Sequence, residues 1–153
     1  MKSLELRIPP PLVLVAIAAA MWFISRVTPV LEVPTPYRKL VALVVAVAGG
    51  FISYRGVSAF RLAQTTPNPM KPDEATVLVS SGIYRFTRNP MYLGLLFILL
   101  AWSIFLAAPW VLLGPFAFVL FIGRFQIRPE EAALSRLFGA DYADYKAKVR
   151  RWL

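Results

Sequence analysis

The side chains available for chemistry in this chain are mainly carboxylates, arginines and tyrosines. The sequence contains no cysteine, so it has no disulfide framework, thiolate metal site or thiol nucleophile, and no histidine, the usual proton shuttle and commonest metal ligand. We therefore predict no metal site. Two sets of polar residues are candidates for a site. The first is Arg88, Asn89 and Tyr92 around a proline, and the second is the adjacent pair Glu130 and Glu131. The first set is either an interfacial anchor at a helix start or half of a binding site.

The apolar composition indicates which elements must position these groups. Hydrophobic residues make up 58% of the 153 residues, more than in an ordinary soluble domain. Four apolar runs lie at 12–24, 40–54, 91–108 and 110–123. Each is shorter than the roughly 20 residues that cross a bilayer, so flanking residues must lengthen the spans. We predict an all-α integral membrane protein, one membrane domain with about four transmembrane helices.

Spans three and four are expected to form a helical hairpin. No charged residue occurs from 91 to 123, and as one helix this stretch would extend about 50 Å, well beyond a single crossing. Pro109 cannot continue the helical hydrogen-bond ladder, so we place the reversal there. The pairs Gly49–Gly50 and Gly114–Pro115 are expected to serve close helix packing or a kink rather than function.

Counts of lysine and arginine predict the orientation of the spans. With four crossings, the N-terminus, the segment 55–88 and the C-terminal tail share one side and carry fourteen of the 17 basic residues. The other side carries Arg26, Arg38 and Lys39. Because basic residues favour cytoplasmic loops, both termini are predicted to be cytoplasmic. Anionic headgroups then account for the net charge of +9, so we set nucleic acid aside.

The polar connection 61–89 is rich in proline. Pro67, Pro69 and Pro72 prevent a long helix, so this connection is an ordered loop or a mobile lid, with a short extended piece at 75–79.

The tail after position 123 has the markers of two short helices. Pro129 suits a first turn and Gly139 a helix end, after which Asp141 could cap a second helix over 142–150. Residues at spacings of three and four would form an amphipathic face lying on the membrane surface or against the spans. These residues are Glu131, Leu134, Phe138, Tyr142 and Tyr145.

Two patterns lie on the same predicted side of the membrane, one before the hairpin and one after it. The first reads G-x-Y-x-x-x-R-N-P-x-Y-x-G over 82–94, and the second reads E-E-x-x-L-x-x-x-F-G-x-x-Y-x-x-Y over 130–145. Together they resemble the isoprenylcysteine carboxyl methyltransferase family and its relatives among phospholipid methyltransferases, over 67–152. The prenylcysteine branch has histidine between the arginine and the proline, where this chain has Asn89.

The resemblance implies a membrane enzyme that transfers a methyl group from S-adenosylmethionine, with S-adenosylhomocysteine as product, to a lipophilic acceptor with a carboxylate or amine headgroup. It implies that the donor is bound by the C-terminal part, 61–153. The two N-terminal spans, in 1–60, are predicted from the apolar runs alone and lie outside the resemblance. The expected catalytic residues are Arg88, Asn89 and Glu131. The expected donor-binding residues are Tyr84, Arg88, Asn89, Pro90, Tyr92, Glu130, Glu131 and Tyr142.

Such a donor carries an ammonium, a carboxylate and a sulfonium, and each of these charges calls for a different partner. Glu130 or Glu131 could meet the ammonium, Arg88 or another basic residue the carboxylate, and tyrosine faces the sulfonium. A carboxylate acceptor needs only an arginine to orient it. An amine acceptor must first lose a proton, a task open to Glu130 or Glu131.

Each of these residues also has a purely structural interpretation. Paired glutamates in a first helical turn commonly complement the helix dipole, Arg88 alone would anchor the chain at the interface, and Tyr92 would belong to an aromatic belt. Arg150 is a second-rank candidate for the site, and Arg151 an anchor to headgroups. The competing class of function is a non-enzymatic membrane scaffold or lipid-binding subunit. The sequence leaves the acceptor and the oligomeric state open.

Overall fold

A computed structural model of the chain describes residues 4–65, 70 and 72–153. Most of these residues are helical, and no β-strand occurs among them. The five α-helices are α1 (Pro10–Val27), α2 (Thr35–Leu62), α3 (Pro90–Leu106), α4 (Leu113–Ile122) and α5 (Arg128–Lys148). Among the described residues, three helical segments are long and apolar enough to cross a membrane, and α3 is a shorter apolar helix. The predicted all-α membrane fold is therefore confirmed.

Proline starts four of the five helices and also marks the hairpin turn. It occupies the first turn of α1, α2 and α3, where its missing N–H interrupts no intrahelical hydrogen bond, and also the first turn of α5. Beyond α3, Ala107 takes a left-handed conformation with φ of 52°. Pro109 then opens a 3₁₀ turn, Pro109–Leu112, that leads into α4. The chain therefore reverses next to the proline at which the sequence placed the turn.

The helix of span four does not stop at position 123, in contrast to the prediction. It continues through a π-helical turn, Gly123–Ile127, directly into α5. Within that turn the Arg128 N–H donates to the Gly123 carbonyl, five residues back. The backbone hydrogen bonds have therefore already shifted from the α-helical to the π-helical pattern just before Pro129, which has no N–H to donate. The apolar part of this segment ends at position 127 and charged residues follow. We take 109–127 as the membrane-spanning part, with α5 beyond it.

The predicted break at Gly139 is present inside α5. Its φ of 49° and ψ of −117° are non-helical, and only glycine adopts this conformation without strain. The helix then resumes and ends at Lys148, two residues before the predicted end. The break returns the C-terminus towards the start of α5, where Arg151 contacts Glu131. The location of the tail's amphipathic face on the membrane surface stays a prediction.

Helices α2 and α3 approach each other closely at glycine. A Cβ atom added at Gly49 would lie 2.7 Å from the carbonyl oxygen of Gly94. Gly114 makes a similar close approach to Met21 of α1, so a side chain there would also collide. A Cβ atom at Gly50 would meet open space. Of the predicted pair in span two, only Gly49 serves packing.

The buried core lies between α1, α3 and α4. Its fully buried side chains are Met21, Leu99, Val111, Phe118, Ile122 and Ile127. Helix α2 packs outside this core along α3, and most of its apolar side chains are exposed, as expected for a helix that faces lipid.

Both described ends of the chain meet at one end of the bundle. Near the N-terminus, the Gln126 side-chain amide donates to the Ile8 carbonyl at 2.7 Å. Near the C-terminus, the Arg88 N–H donates to the Arg150 carbonyl at 3.0 Å, just before α3 begins. We call this the site end. The opposite end, with the start of α2 and the turn between α3 and α4, is the distal end.

The connection between α2 and α3 is described in part. Pro67 and Pro69, on which the loop prediction partly rests, lie outside the described residues. Two 3₁₀ turns follow, Pro72–Glu74 and Gly82–Arg85, and the extended piece predicted at 75–79 is irregular backbone with no strand. Asp73 in the first turn forms an exposed ion pair with Arg136 of α5, at 3.0 Å.

Candidate active site

A pocket at the site end collects residues from both sequence motifs. Its empty volume is about 780 Å³ when the space open to solvent is counted. The start of α3 and both parts of α5 form its polar wall, and the loop before α3 together with α2 forms its apolar wall. The lining residues are Phe60, Pro72, Ala75, Val77, Leu78, Val79, Tyr84, Arg88, Asn89, Met91, Tyr92, Glu130, Glu131, Leu134, Tyr142 and Tyr145.

Three charged residues form what we call the arginine–glutamate cluster: Arg88, Glu131 and Arg151. Arg88 Nη1 lies 3.1 Å from Glu131 Oε1, and the two side chains are only 11% and 14% exposed. Arg151 binds the same carboxylate with two atoms, Nη2 at 2.6 Å from Oε2 and Nε at 3.0 Å from Oε1. The hydrogen bonds to Glu131 raise the pKa of Arg151. One carboxylate thus holds two guanidinium groups on one side of the pocket.

The backbone of the C-terminal segment fixes the first motif. The Asn89 side-chain amide donates to the Arg151 carbonyl at 2.8 Å, and the Thr87 hydroxyl donates to the same oxygen at 3.3 Å. The Asn89 N–H in turn donates to the Thr87 hydroxyl at 3.2 Å. Asn89 therefore acts here as a positioning residue that joins the start of α3 to the C-terminus.

Glu130 stands apart from the cluster. Tyr92 Oη donates to Glu130 Oε1 at 2.7 Å, and among the described residues no basic side chain forms an ion pair with Glu130. Burial of the carboxylate raises the pKa of Glu130 to about 8, the Tyr92 hydrogen bond lowers it, and the neighbouring Glu131 charge raises it further. Glu130 is therefore available to form an ion pair with a cationic group of a ligand.

One donor atom of Arg88 is also left without a partner. Its Nη1 contacts Glu131 and, at 3.5 Å, the Tyr142 hydroxyl, while its buried Nε has no hydrogen-bond partner among the described residues. A buried guanidinium N–H without an acceptor is costly. A carboxylate ligand in the pocket would remove that cost.

Aromatic rings close the pocket around these charges. Tyr84 is buried and meets Phe60 edge to face with ring centroids 5.4 Å apart. The Tyr145 hydroxyl donates to the Tyr84 carbonyl at 2.7 Å, and its ring lies 6.2 Å from that of Tyr142. Burial raises the pKa of Tyr84, so its phenol stays neutral at physiological pH. The rings offer apolar faces and little competing charge.

The structure brings nearly all of the predicted site residues to this pocket. Seven of the eight line it: Tyr84, Arg88, Asn89, Tyr92, Glu130, Glu131 and Tyr142. Pro90 does not line it. Its side chain is fully buried, and it faces Gly56 of α2, where it begins α3.

Sequence reasoning missed two contributions to the site. The cluster uses the side chain of Arg151, whereas Arg150, the second-rank candidate, is exposed and contributes its backbone carbonyl. The sequence shows two adjacent arginines with no feature that separates them. The apolar wall from the loop at 75–79 was also missed, although the consecutive apolar residues at 77–79 were a signal that some surface is covered.

Comparison with known proteins agrees with the two motifs. Residues 37–141 match the family model described as phospholipid methyltransferase, so the match includes α2, which the resemblance in the sequence had left out. A protein from Haemophilus influenzae with the name "Uncharacterized protein" is 52% identical over 63 residues, which are 41% of this chain and all of that protein.

Two relatives with assigned names are protein-S-isoprenylcysteine O-methyltransferases. The protein from Saccharomyces cerevisiae is 38% identical over 85 residues, and the protein from Xenopus laevis is 37% identical over 82 residues. Each match covers 52% of this chain but only 33% and 27% of the respective relative. No solved structure matches the chain. The predicted class of enzyme, a membrane methyltransferase, is confirmed at the level of the family. The family model matches well over half of the chain, and the protein belongs to the phospholipid methyltransferase family.

Proposed function

We propose that this protein transfers a methyl group from S-adenosylmethionine to a lipophilic acceptor at the membrane surface. The observation that carries the proposal is the pocket in which both motifs meet, with the arginine–glutamate cluster and, apart from it, the carboxyl group of Glu130. Family membership supports a methyl transfer, and the apolar helices around the pocket support an acceptor that arrives from the bilayer.

The residues present fit the donor. Glu130 has no cationic partner among the described residues and is the best candidate to hold the ammonium group, while Glu131 is already bound to two arginines. The unpaired Nε of Arg88 suits the donor's carboxylate. The faces of Tyr84, Tyr92 or Tyr142 suit the sulfonium. We therefore assign the ammonium to Glu130 and give Glu131 the role of holding the two arginines in place.

When bound, S-adenosylmethionine supplies a methyl group activated by the positive sulfur. The contribution of the protein is alignment and the exclusion of water. Buried Tyr84 and Tyr92 and the apolar loop wall keep the pocket dry, and the hydrogen bonds of Asn89 to the C-terminal backbone fix the first motif against α5.

The chemistry of the acceptor remains a choice between two headgroups. The names of the family and of the two enzymes point to a phospholipid amine in one case and a prenylcysteine carboxylate in the other. An amine must lose a proton before it attacks, and because Glu130 is assigned to the donor's ammonium, this route needs a base other than Glu130. A carboxylate needs an arginine to orient it, and Arg151 is the more exposed member of the cluster.

We propose further that the site end faces the cytoplasm, because it carries most of the basic residues.

Methyl transfer in proteoliposomes tests this proposal. The purified protein would be supplied with donor carrying a labelled methyl group, in vesicles that contain either an amine-headed phospholipid or an S-prenylcysteine with a free carboxylate. We expect label in the organic phase with one of these acceptors and none with a soluble amino acid. Absence of transfer to both acceptors and to a total lipid extract, by protein that remains folded, would favour the scaffold or lipid-binding subunit.

A further inference from the structure

A groove at the distal end combines an apolar floor with a basic side chain. It lies between the loop after α1, the first turns of α2 and the turn between α3 and α4, and its empty volume is about 810 Å³ with the open space counted. The Leu31 N–H donates to the Ala107 carbonyl at 2.7 Å and so joins two of its walls. We call this the distal groove. Arg38 lines it together with Val41, Ile104 and Leu112.

The positive charge of Arg38 is not compensated within the described chain. Arg38 has no ion-pair partner among the described residues, and its buried Nε has no hydrogen-bond partner among them. Glu32 is the acidic residue in the loop after α1, and it forms no ion pair with Arg38. The neighbouring Lys39 adds a second positive charge at the start of α2.

The third basic residue of this end has a different environment. Arg26 lies over the ring of Trp22, 5.5 Å from its centroid, and does not line the distal groove. A cation–π contact of this kind partly satisfies an exposed guanidinium. Arg38 therefore differs from Arg26 in two ways: it borders an apolar groove, and it has a buried N–H without an acceptor.

These features fit one kind of occupant. We propose that the distal groove binds an anionic phospholipid, with the phosphate at Arg38 and an acyl chain along Val41, Ile104 and Leu112. The apolar residues of the groove lie on α2, on the shorter apolar helix α3 and in the loops at the distal end of these apolar helices, so acyl chains are the available apolar partner. The phosphate supplies the missing acceptor for the guanidinium. This lipid site is separate from the pocket at the site end and does not depend on methyl transfer.

Native mass spectrometry of the full chain released from detergent tests the lipid site. The protein would be equilibrated with equal amounts of phosphatidylglycerol and phosphatidylcholine, and the retained adducts counted. The site end also carries many basic residues, so the informative quantity is the difference between variants. We expect Arg38→Gln to retain one phosphatidylglycerol fewer than the wild type, and Arg26→Gln, which removes the same charge at the same end, to retain the wild-type number.

A second variant keeps the charge and fills the groove. Val41→Trp places a large ring at a half-exposed position of the groove floor, and we expect it also to lose one phosphatidylglycerol. Helical circular dichroism and a single elution peak would show that each variant is folded. Equal retention by Arg38→Gln and Arg26→Gln would overturn the proposal. So would full retention by Val41→Trp, or displacement of the lipid by millimolar glycerol phosphate, which would indicate a site for a headgroup alone.

Discussion

The two ends of the helical bundle treat basic side chains in opposite ways. At the site end, Arg88 and Arg151 share the carboxylate of Glu131 within 3.1 Å. At the distal end, Arg38 has no ion-pair partner among the described residues. Both Arg88 and Arg38 nevertheless keep a buried Nε without an acceptor.

The difference indicates what each end is built to bind. The site end fixes its arginines before any ligand arrives, so a ligand with mixed charges meets a prearranged set of groups that costs little further ordering. The distal end offers positive charge beside an apolar groove and depends on an anion from outside the chain. The first arrangement suits a small polar cofactor, and the second suits a lipid.

Removal of the Glu131 carboxylate is expected to have the largest effect, because it abolishes the difference between the two ends. Glu131→Gln leaves Arg88 and Arg151 unneutralised, which makes the site end resemble the distal end. Breaking a buried ion pair costs up to about 3 to 5 kcal/mol, and we expect roughly half of that here because Arg151 is 39% exposed. We expect methyl transfer to fall about 100-fold, as measured by label incorporation, since misplaced groups lose alignment, together with a lower thermal midpoint.

The matched control breaks an exposed ion pair close to the same pocket. Asp73→Asn removes the contact with Arg136, in which both side chains are more than 60% exposed. Exposed pairs contribute little to stability, so we expect the midpoint and the rate to stay near the wild-type values. If Glu131→Gln behaved like this control, the arginine–glutamate cluster would have no part in the site.

Because Glu130 changes its protonation, ligand binding at the site end should depend on pH, and lipid binding at the distal end should not. With a pKa raised to about 8, Glu130 is largely protonated below that pH and must lose its proton to bind an ammonium group as a carboxylate. Affinity for S-adenosylhomocysteine should therefore rise by up to about tenfold per pH unit between pH 6 and pH 8, then level off. Calorimetric titration at several pH values measures this.

A variant of Tyr92, the hydrogen-bond donor to Glu130, tests whether Glu130 causes this rise in affinity with pH, which we call the pH limb. The Tyr92 hydrogen bond lowers the pKa of Glu130, so Tyr92→Phe should move the rise in affinity to higher pH. An unchanged limb would show that another group titrates there. Tyr54→Phe, at an exposed position of α2, is the control, and its limb should coincide with that of the wild type.

The glycine contact between α2 and α3 lies along the bundle, and its disruption is expected to change stability. A Cβ atom at Gly94 would collide with Gly49 and Ser53 of α2. We expect Gly94→Ala to cost about 1 to 3 kcal/mol, as overpacking typically does. The chemical-denaturation midpoint in mixed micelles measures this cost. Gly50→Ala, which meets open space, should be neutral or slightly stabilising, and equal effects of the two changes would contradict the close contact.

Composition and local pattern were sufficient to predict the class of fold, and family resemblance predicted most of the site. The apolar runs predicted the spans because the bilayer imposes their length and polarity. Pro109 and Gly139 marked direction changes because their backbone preferences act locally. The two motifs predicted the pocket residues through family resemblance, and the structure brings seven of the eight together.

The remainder depends on contacts between distant parts of the chain. The length of α2, 28 residues, exceeds its apolar run because its last turns pack beside Tyr84 at the site end. The continuity of α4 with α5 depends on a π-turn whose Gln126 is held by the Ile8 carbonyl, more than a hundred residues away in sequence. The choice of Arg151 over Arg150 depends on the direction in which the returning tail presents each side chain.

The central claim is that the pocket at the site end binds the methyl donor through Glu130. The most direct measurement is calorimetric titration of the detergent-purified protein with S-adenosylhomocysteine, in parallel for the wild type, Glu130→Gln and Arg26→Gln. Above about pH 8, where the Glu130 carboxylate is ionised, we predict saturable binding at one site in the wild type and in Arg26→Gln, and at least about tenfold weaker binding in Glu130→Gln, whose amide offers no charge to the ammonium. No binding by folded wild-type protein, or equal affinity in all three proteins, would contradict the claim.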